Sequence, residues 1–189
     1  MYGRRFVLMY VKKAKTIAVL GMMAALSTVL TVLGTVISVN TVFFTAAAAF
    51  LAGIAVIYYG MGAGTLFLGV CAALDFLVNP NKLHVFLYLA LAIYILVCEG
   101  SYQAMGKMTP GRKKEWLHRF MRFLVFAILY TLLVIFLPQL LVSDKLLNRS
   151  WFLPVMFAVG VIAWVLYDLA YLEVKKWVHI RFDSLFRKN

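Results

Sequence analysis

Long apolar runs separated by brief polar interruptions set the pattern of this chain. Six of them reach or approach the ~20 residues that a helix needs to cross the hydrocarbon of a bilayer. They cover 16–38, 41–59, 61–78, 83–97, 120–142 and 151–172. The Val39-Asn40 pair separates the first two, and Asn79-Pro80-Asn81-Lys82, with turn-forming Asn and Pro, separates the third from the fourth. Between the second and third there is no charge, only Tyr58-Tyr59-Gly60-Met61-Gly62. A single helix over 41–78 would extend about 57 Å at 1.5 Å per residue, roughly twice the hydrocarbon thickness. The paired glycines therefore predict a break. The expected architecture is all-α, a single membrane domain over 1–189, with a basic loop at 99–119, a polar loop at 143–150 and a basic tail at 173–189.

Composition agrees with this pattern: 65% of residues are hydrophobic and 14% charged. A water-soluble fold of this size has no means of hiding so much apolar surface. The positive charge then supplies a topology. All but Lys82, Lys145 and Arg149 of the 19 Lys and Arg residues fall in the N-terminal segment, in the connection after the fourth helix and the start of the fifth, or in the C-terminal tail. The positive-inside rule places those three regions, and both termini, in the cytoplasm. An even number of crossings is then required, and six satisfies it. A net charge of +12 is explained by this placement and by anionic lipid headgroups, without nucleic acid. The first apolar run exceeds the short core of a signal peptide and has no clear small-residue cleavage site after it, so it is expected to remain as helix one. Cys71 and Cys98 lie inside apolar runs without Cys-x-x-Cys spacing and read as small core residues.

Small residues recur at four-residue spacing: Ala14/Ala18 and Gly21/Ala25 in helix one, Ala49/Gly53 in helix two, Gly60/Gly64 leading into helix three. Such positions let helices approach closely. Packing within the bundle and docking of an external partner both satisfy the motif. Ionisable groups inside the apolar runs are few, and each costs about 2.5–3.5 kcal/mol at a helix centre. Asp75 stands one turn from the outer end of helix three, His84 at the outer start of helix four and Asp168 near the inner end of helix six. Asp75 and His84 either share a polar pocket with Asn79, Asn81 and Lys82 or solvate their helix ends. Trp151 and Trp177 stand where interfacial anchors are expected. Tyr88, Tyr94, Tyr130, Trp164 and Tyr167 lie deeper, either lining a cavity for a flat organic ligand or packing in the core or against lipid.

No catalytic signature occurs: no His-Glu-x-x-His, no Gly-x-Ser-x-Gly, no P-loop and no carboxylate cluster with metal-ligand spacing. No helix repeats a polar stripe suited to a pore. The expectation is a non-enzymatic protein without a metal or organic cofactor.

The stretch Lys15-Thr-Ile-Ala-Val-Leu-Gly-Met-Met-Ala-Ala-Leu-Ser-Thr-Val-Leu30, a basic lead-in to an Ala-rich helix, resembles the opening of the substrate-binding S components of energy-coupling factor (ECF) vitamin transporters. The segment from Phe43 through Tyr59-Gly60-Met-Gly-Ala-Gly64 to Gly69 and Asp75 is similar to that family's second and third helices. The resemblance implies a vitamin-like small molecule captured near the outer face of a bacterial cell membrane. It further implies docking of the helix-one face formed by Ala14, Ala18, Gly21 and Ala25 on a transmembrane coupling subunit driven by two ATPase subunits. The pocket it implies is formed by Asn40, Asp75, Asn79, His84, Tyr88, Gln139, Asn148 and Trp151. The connection Val39-Asn40-Thr41 departs from the family by being too short for a lid. A second resemblance, of Gly64-Thr-Leu-Phe-Leu-Gly69-Val-Cys-Ala-Ala-Leu-Asp75 to the glycine-rich helix of MreD-like cell-shape proteins, implies instead a membrane scaffold with no ligand.

Overall fold

A computed structural model describes residues 2–37, 40–104, 112–136 and 152–186. These form six helices: α1 (Tyr2–Val36), α2 (Thr41–Tyr59), α3 (Met61–Val78), α4 (Leu83–Ala104), α5 (Arg112–Phe136) and α6 (Phe152–Phe186). Each contains a stretch long and apolar enough to cross a membrane, and no strand occurs among the described residues. The protein is an all-helical, multi-pass membrane bundle.

Four helices outrun the apolar segments that the sequence delimits. α1 begins at Tyr2 rather than near Thr16, and α5 at Arg112 rather than near Phe120. α4 continues past Val97 to Ala104, and α6 continues past Leu172 to Phe186. The reason is that charge ends a membrane crossing without ending a helix, since Lys, Arg and Glu are good helix formers. Pro removes a bond from the backbone ladder, but Pro154 sits in the first turn of α6, where a missing N–H costs nothing. The end of the fifth apolar segment, 137–142, lies outside the described residues.

The uncharged junction between α2 and α3 is a break at one residue. Gly60 has φ +87°, a left-handed conformation that glycine adopts without steric penalty. Its N–H bonds Val56 O at 2.9 Å, closing α2, while its own carbonyl accepts from Gly64 N at 3.0 Å, opening α3.

Cross-helix pairs give the directions of the helices. Ser27 of α1 meets Ala48 of α2, and Gly34 meets Thr41, so these two helices are antiparallel. Thr31 meets Asp75 and Thr35 meets Asn79, so α1 and α3 are parallel. Tyr94 pairs with Phe126 and Tyr102 with His118, which sets α4 against α5 antiparallel. Arg122 meets Asp168 while Tyr130 meets Met156, which does the same for α5 and α6. The chain therefore runs up and down six times. The α1–α2 and α3–α4 connections share one end of the bundle, and the α2–α3 junction lies at the other.

α2 is the central helix. Ala48, Ala49, Ala52, Ala55 and Val56 have no exposed surface, and α2 touches α1, α3, α4 and α6. With lipid as the solvent there is little hydrophobic drive between helices, so close approach at small residues supplies the packing. Gly53 lies against Ile95 of α4 and Tyr171 of α6; a Cβ there would come within 2.6 Å of Ile95 Cγ2. Gly64 of α3 lies equally close to Val56.

Candidate polar site between helices one, three and four

Hydroxyl, carboxyl and amide groups inside the bundle gather at the end that holds the α1–α2 connection. α1 presents Ser27, Thr31 and Thr35 at successive four-residue steps, with Thr28 beside them. α3 presents Cys71, Asp75 and Asn79 at the same step, and α4 presents Tyr88 and His84. Four-residue spacing stacks side chains on one helix face, so three faces meet in successive layers.

In the deeper layer Thr31 Oγ1 donates to Asp75 Oδ1 at 2.6 Å. Asp75 has no exposed surface, and neither does Tyr88. Thr28 Oγ1 lies beside the Asp75 carboxylate, and the Tyr88 hydroxyl lies beside Ser27 and Cys71. Among the described residues neither hydroxyl closes a hydrogen bond in good geometry, and Asp75 Oδ2 is also without a partner. One turn nearer the end of the bundle, Thr35 Oγ1 donates to Asn79 Oδ1 at 2.6 Å. There the buried Asn79 Nδ2 and His84 Nδ1 are unsatisfied. A buried polar group without a partner costs several kcal/mol in lipid, roughly the price of an unmade hydrogen bond. Five such atoms stand in two adjacent layers and mark the candidate site.

Asp75 also lacks a counter-charge. Among the described residues the ion pairs are Arg122–Asp168, Lys175–Glu99 and Lys176–Glu173. Lys82, the closest cation in sequence, turns away from Asp75: its Nζ donates to the carbonyls of Phe76 and Asn79 and lies 5.2 Å from the Phe76 ring centre. It caps the C-terminus of α3.

Of the residues expected to form a pocket, Asp75, Asn79, His84 and Tyr88 occupy these two layers. Asn40 does not join them; it is exposed at the start of α2 and makes no side-chain cap. Gln139, Asn148 and Trp151 lie outside the described residues. Sequence reasoning missed the α1 contribution of Ser27, Thr28, Thr31 and Thr35, because a hydroxyl in an apolar helix commonly bonds its own backbone, as Thr31 and Thr35 also do.

A second polar cluster crosses α4, α5 and α6 toward the opposite end. Glu99 accepts from Lys175 Nζ at 2.7 and 2.9 Å and from the Tyr171 hydroxyl at 3.0 Å. Asp168 receives the Arg122 guanidinium and, at 2.9 Å, the Tyr94 hydroxyl, which itself accepts from Trp164 Nε1 at 3.0 Å. Glu99, Arg122 and Lys175, which the sequence pattern assigns to the basic loop, the loop border and the tail, are thus charge-paired parts of the bundle. Here both carboxylates are matched by cations, unlike Asp75.

An apolar cavity of about 110 Å³ lies apart from the Asp75 site, against Leu87, Leu91, Phe126 and Leu133. Tyr94, Tyr130 and Tyr167 also line it, but their hydroxyls are spent on Asp168, Met156 O and Leu91 O. Tyr88 and Trp164, the other deep aromatics, are not among its walls.

The small-residue motifs divide by location. Ala49, Gly53 and Gly64 pack inside the bundle. Ala14, Ala18, Gly21 and Ala25 of α1 are exposed, and nothing lies within 4 Å of where a Gly21 side chain would begin. No family model matches this chain, and no curated protein or solved structure is similar to it.

Proposed function

We propose that this protein is the substrate-binding subunit of an ECF-type transporter in a bacterial cell membrane, with both termini in the cytoplasm. In this reading it captures a small vitamin-like nutrient at the outer end of the bundle and delivers it inward with a coupling subunit and two ATPases. The observation that carries the reading is the layered site at Asp75 and Asn79, whose buried polar atoms are arranged between three helices and left without partners. An enclosed polar site in an apolar bundle is a site for a polar guest, because structural polar groups in lipid satisfy one another. The outward face of Ala14, Ala18, Gly21 and Ala25 supports the second half of the reading, since it offers a flat surface for another helix that the bundle itself does not use.

The test is purification of the tagged protein from its native host in mild detergent. Bound small molecules are identified by mass spectrometry and copurifying chains by peptide sequencing. The expected result is one nutrient in near-stoichiometric amount, or ATPase subunits, or both. A clean preparation with neither, together with altered cell shape on depletion that no nutrient corrects, would replace this reading with the MreD-like scaffold.

A further inference from the structure

We infer that the deeper layer of the polar site, around Asp75, is a binding site for a dehydrated monovalent alkali cation. The inference goes beyond the transport reading and does not depend on it.

The donor set is the first argument. Asp75 Oδ2, Thr28 Oγ1 and the Tyr88 hydroxyl are three buried oxygens on adjacent turns that close no hydrogen bond in good geometry among the described residues. Ser27 Oγ is adjacent to Tyr88 and donates a long 3.4 Å bond to Ala48 O. Thr31 already orients the carboxylate through Oδ1, leaving Oδ2 as the open acceptor. Carboxylate and hydroxyl oxygens suit hard cations. Among the described residues no three His, Cys, Asp or Glu side chains are grouped to hold a metal ion, which removes the donor sets of zinc, iron or copper from consideration.

Charge balance is the second. A lone carboxylate inside a bilayer is costly, and the second cluster of this protein shows how the chain meets that cost elsewhere, with Arg122 for Asp168 and Lys175 for Glu99. Among the described residues Asp75 receives no cationic side chain. One positive charge makes the layer neutral, whereas a divalent ion would leave a net charge buried in lipid. The layer has no exposed surface at Asp75 or Tyr88, so the cation is held without its full water shell.

The test uses the purified full-length chain in detergent, with no nutrient and no partner, melted in NaCl, KCl or choline chloride at equal ionic strength. Sodium or potassium is expected to raise the Tm saturably by roughly 5–10 °C over choline, the shift produced by a ligand present at about 100 times its Kd. Asp75→Asn, neutral already, should melt at the same temperature in all three salts. Tyr88→Phe and Thr28→Val remove one oxygen each and should raise the half-saturating concentration about tenfold, the equivalent of one lost ligand. These two variants decide the matter if Asp75→Asn does not fold. Identical melting in all three salts would overturn the inference and leave Asp75 carrying its own proton. Cation stabilisation undiminished in Tyr88→Phe and Thr28→Val would overturn it too, by placing the ion elsewhere. Because no nutrient is present, failure of the transport reading leaves this result untouched.

Discussion

The Thr31 hydroxyl donates to the Asp75 carboxylate at 2.6 Å across 44 positions of sequence. One turn further along, Thr35 repeats that bond to Asn79 at the same separation in sequence and the same distance in space. Two equal offsets lock α1 and α3 in parallel register. The lock is polar, and it lies where α1 closes one side of the site, so its strength and the site's preorganisation are one property.

Thr31→Val keeps shape and volume and removes the donor. A buried carboxylate left without that bond should cost about 1–3 kcal/mol, or a fall in Tm of roughly 2–10 °C for a chain of this size. Thr31→Ser, which restores a hydroxyl, should recover most of it. Thermal melts in detergent check both; a Thr31→Val protein as stable as the parent would show that the bond does not hold the helices in register.

The Arg122–Asp168 pair tests a different balance. Arg122 and Asp168 are largely buried, so removing one partner strands the other in a low-dielectric interior. Arg122→Gln or Asp168→Asn should each cost on the order of 3–5 kcal/mol. The double change Arg122→Met with Asp168→Leu replaces the pair by packed apolar groups and should regain most of that loss. A double-mutant cycle by thermal melting measures the coupling. If the double variant is as unstable as the sum of the singles, the pair is not compensating its own burial.

The contrast between these two clusters shows what the sequence made legible. The six crossings and the Gly60 break follow from apolar run lengths, and Asp75 and His84 stand out through the rarity of ionisable groups inside those runs. Glu99, Arg122 and Lys175 were hidden because a charge flanking an apolar run looks like a loop boundary whether it faces solvent or a partner. Only the three-dimensional approach of α4 and α6 distinguishes these cases, as the Lys175–Glu99 bond does. The α1 threonines were hidden for the opposite reason. A hydroxyl in an apolar helix commonly bonds its own backbone, as Thr45 does to Thr41 O, and spacing alone does not show which Thr reaches across to another helix.

Glycines of identical appearance should behave in opposite ways. Gly53→Val places a branched side chain into Ile95 and Tyr171, and overpacking of that kind forces neighbouring groups to shift. The variant should fail to accumulate as a monodisperse protein in size-exclusion chromatography. Gly21→Val meets open space and should purify with unchanged Tm, yet lose any coupling subunit that copurifies with the parent. A Gly21→Val protein that retains such a partner would remove the α1 face as the docking surface.

Orientation is tested by single cysteines without first removing the native ones. Cys71 and Cys98 are both buried, and thiols shielded by the bundle react slowly with a water-soluble maleimide. Asn81 is exposed in the α3–α4 connection, at the end of the bundle shared with the α1–α2 connection. Position 113 belongs to the basic stretch at the start of α5. If positive charge sets the topology, Asn81→Cys is labelled by a membrane-impermeant maleimide in intact cells, whereas Lys113→Cys is labelled only after permeabilisation. The polar layers of Asn79 and Asp75 would then lie within two helical turns of the outer surface, the side from which a nutrient arrives. The reverse pattern would turn the Asp75 site toward the cytoplasm and remove uptake from outside as its purpose.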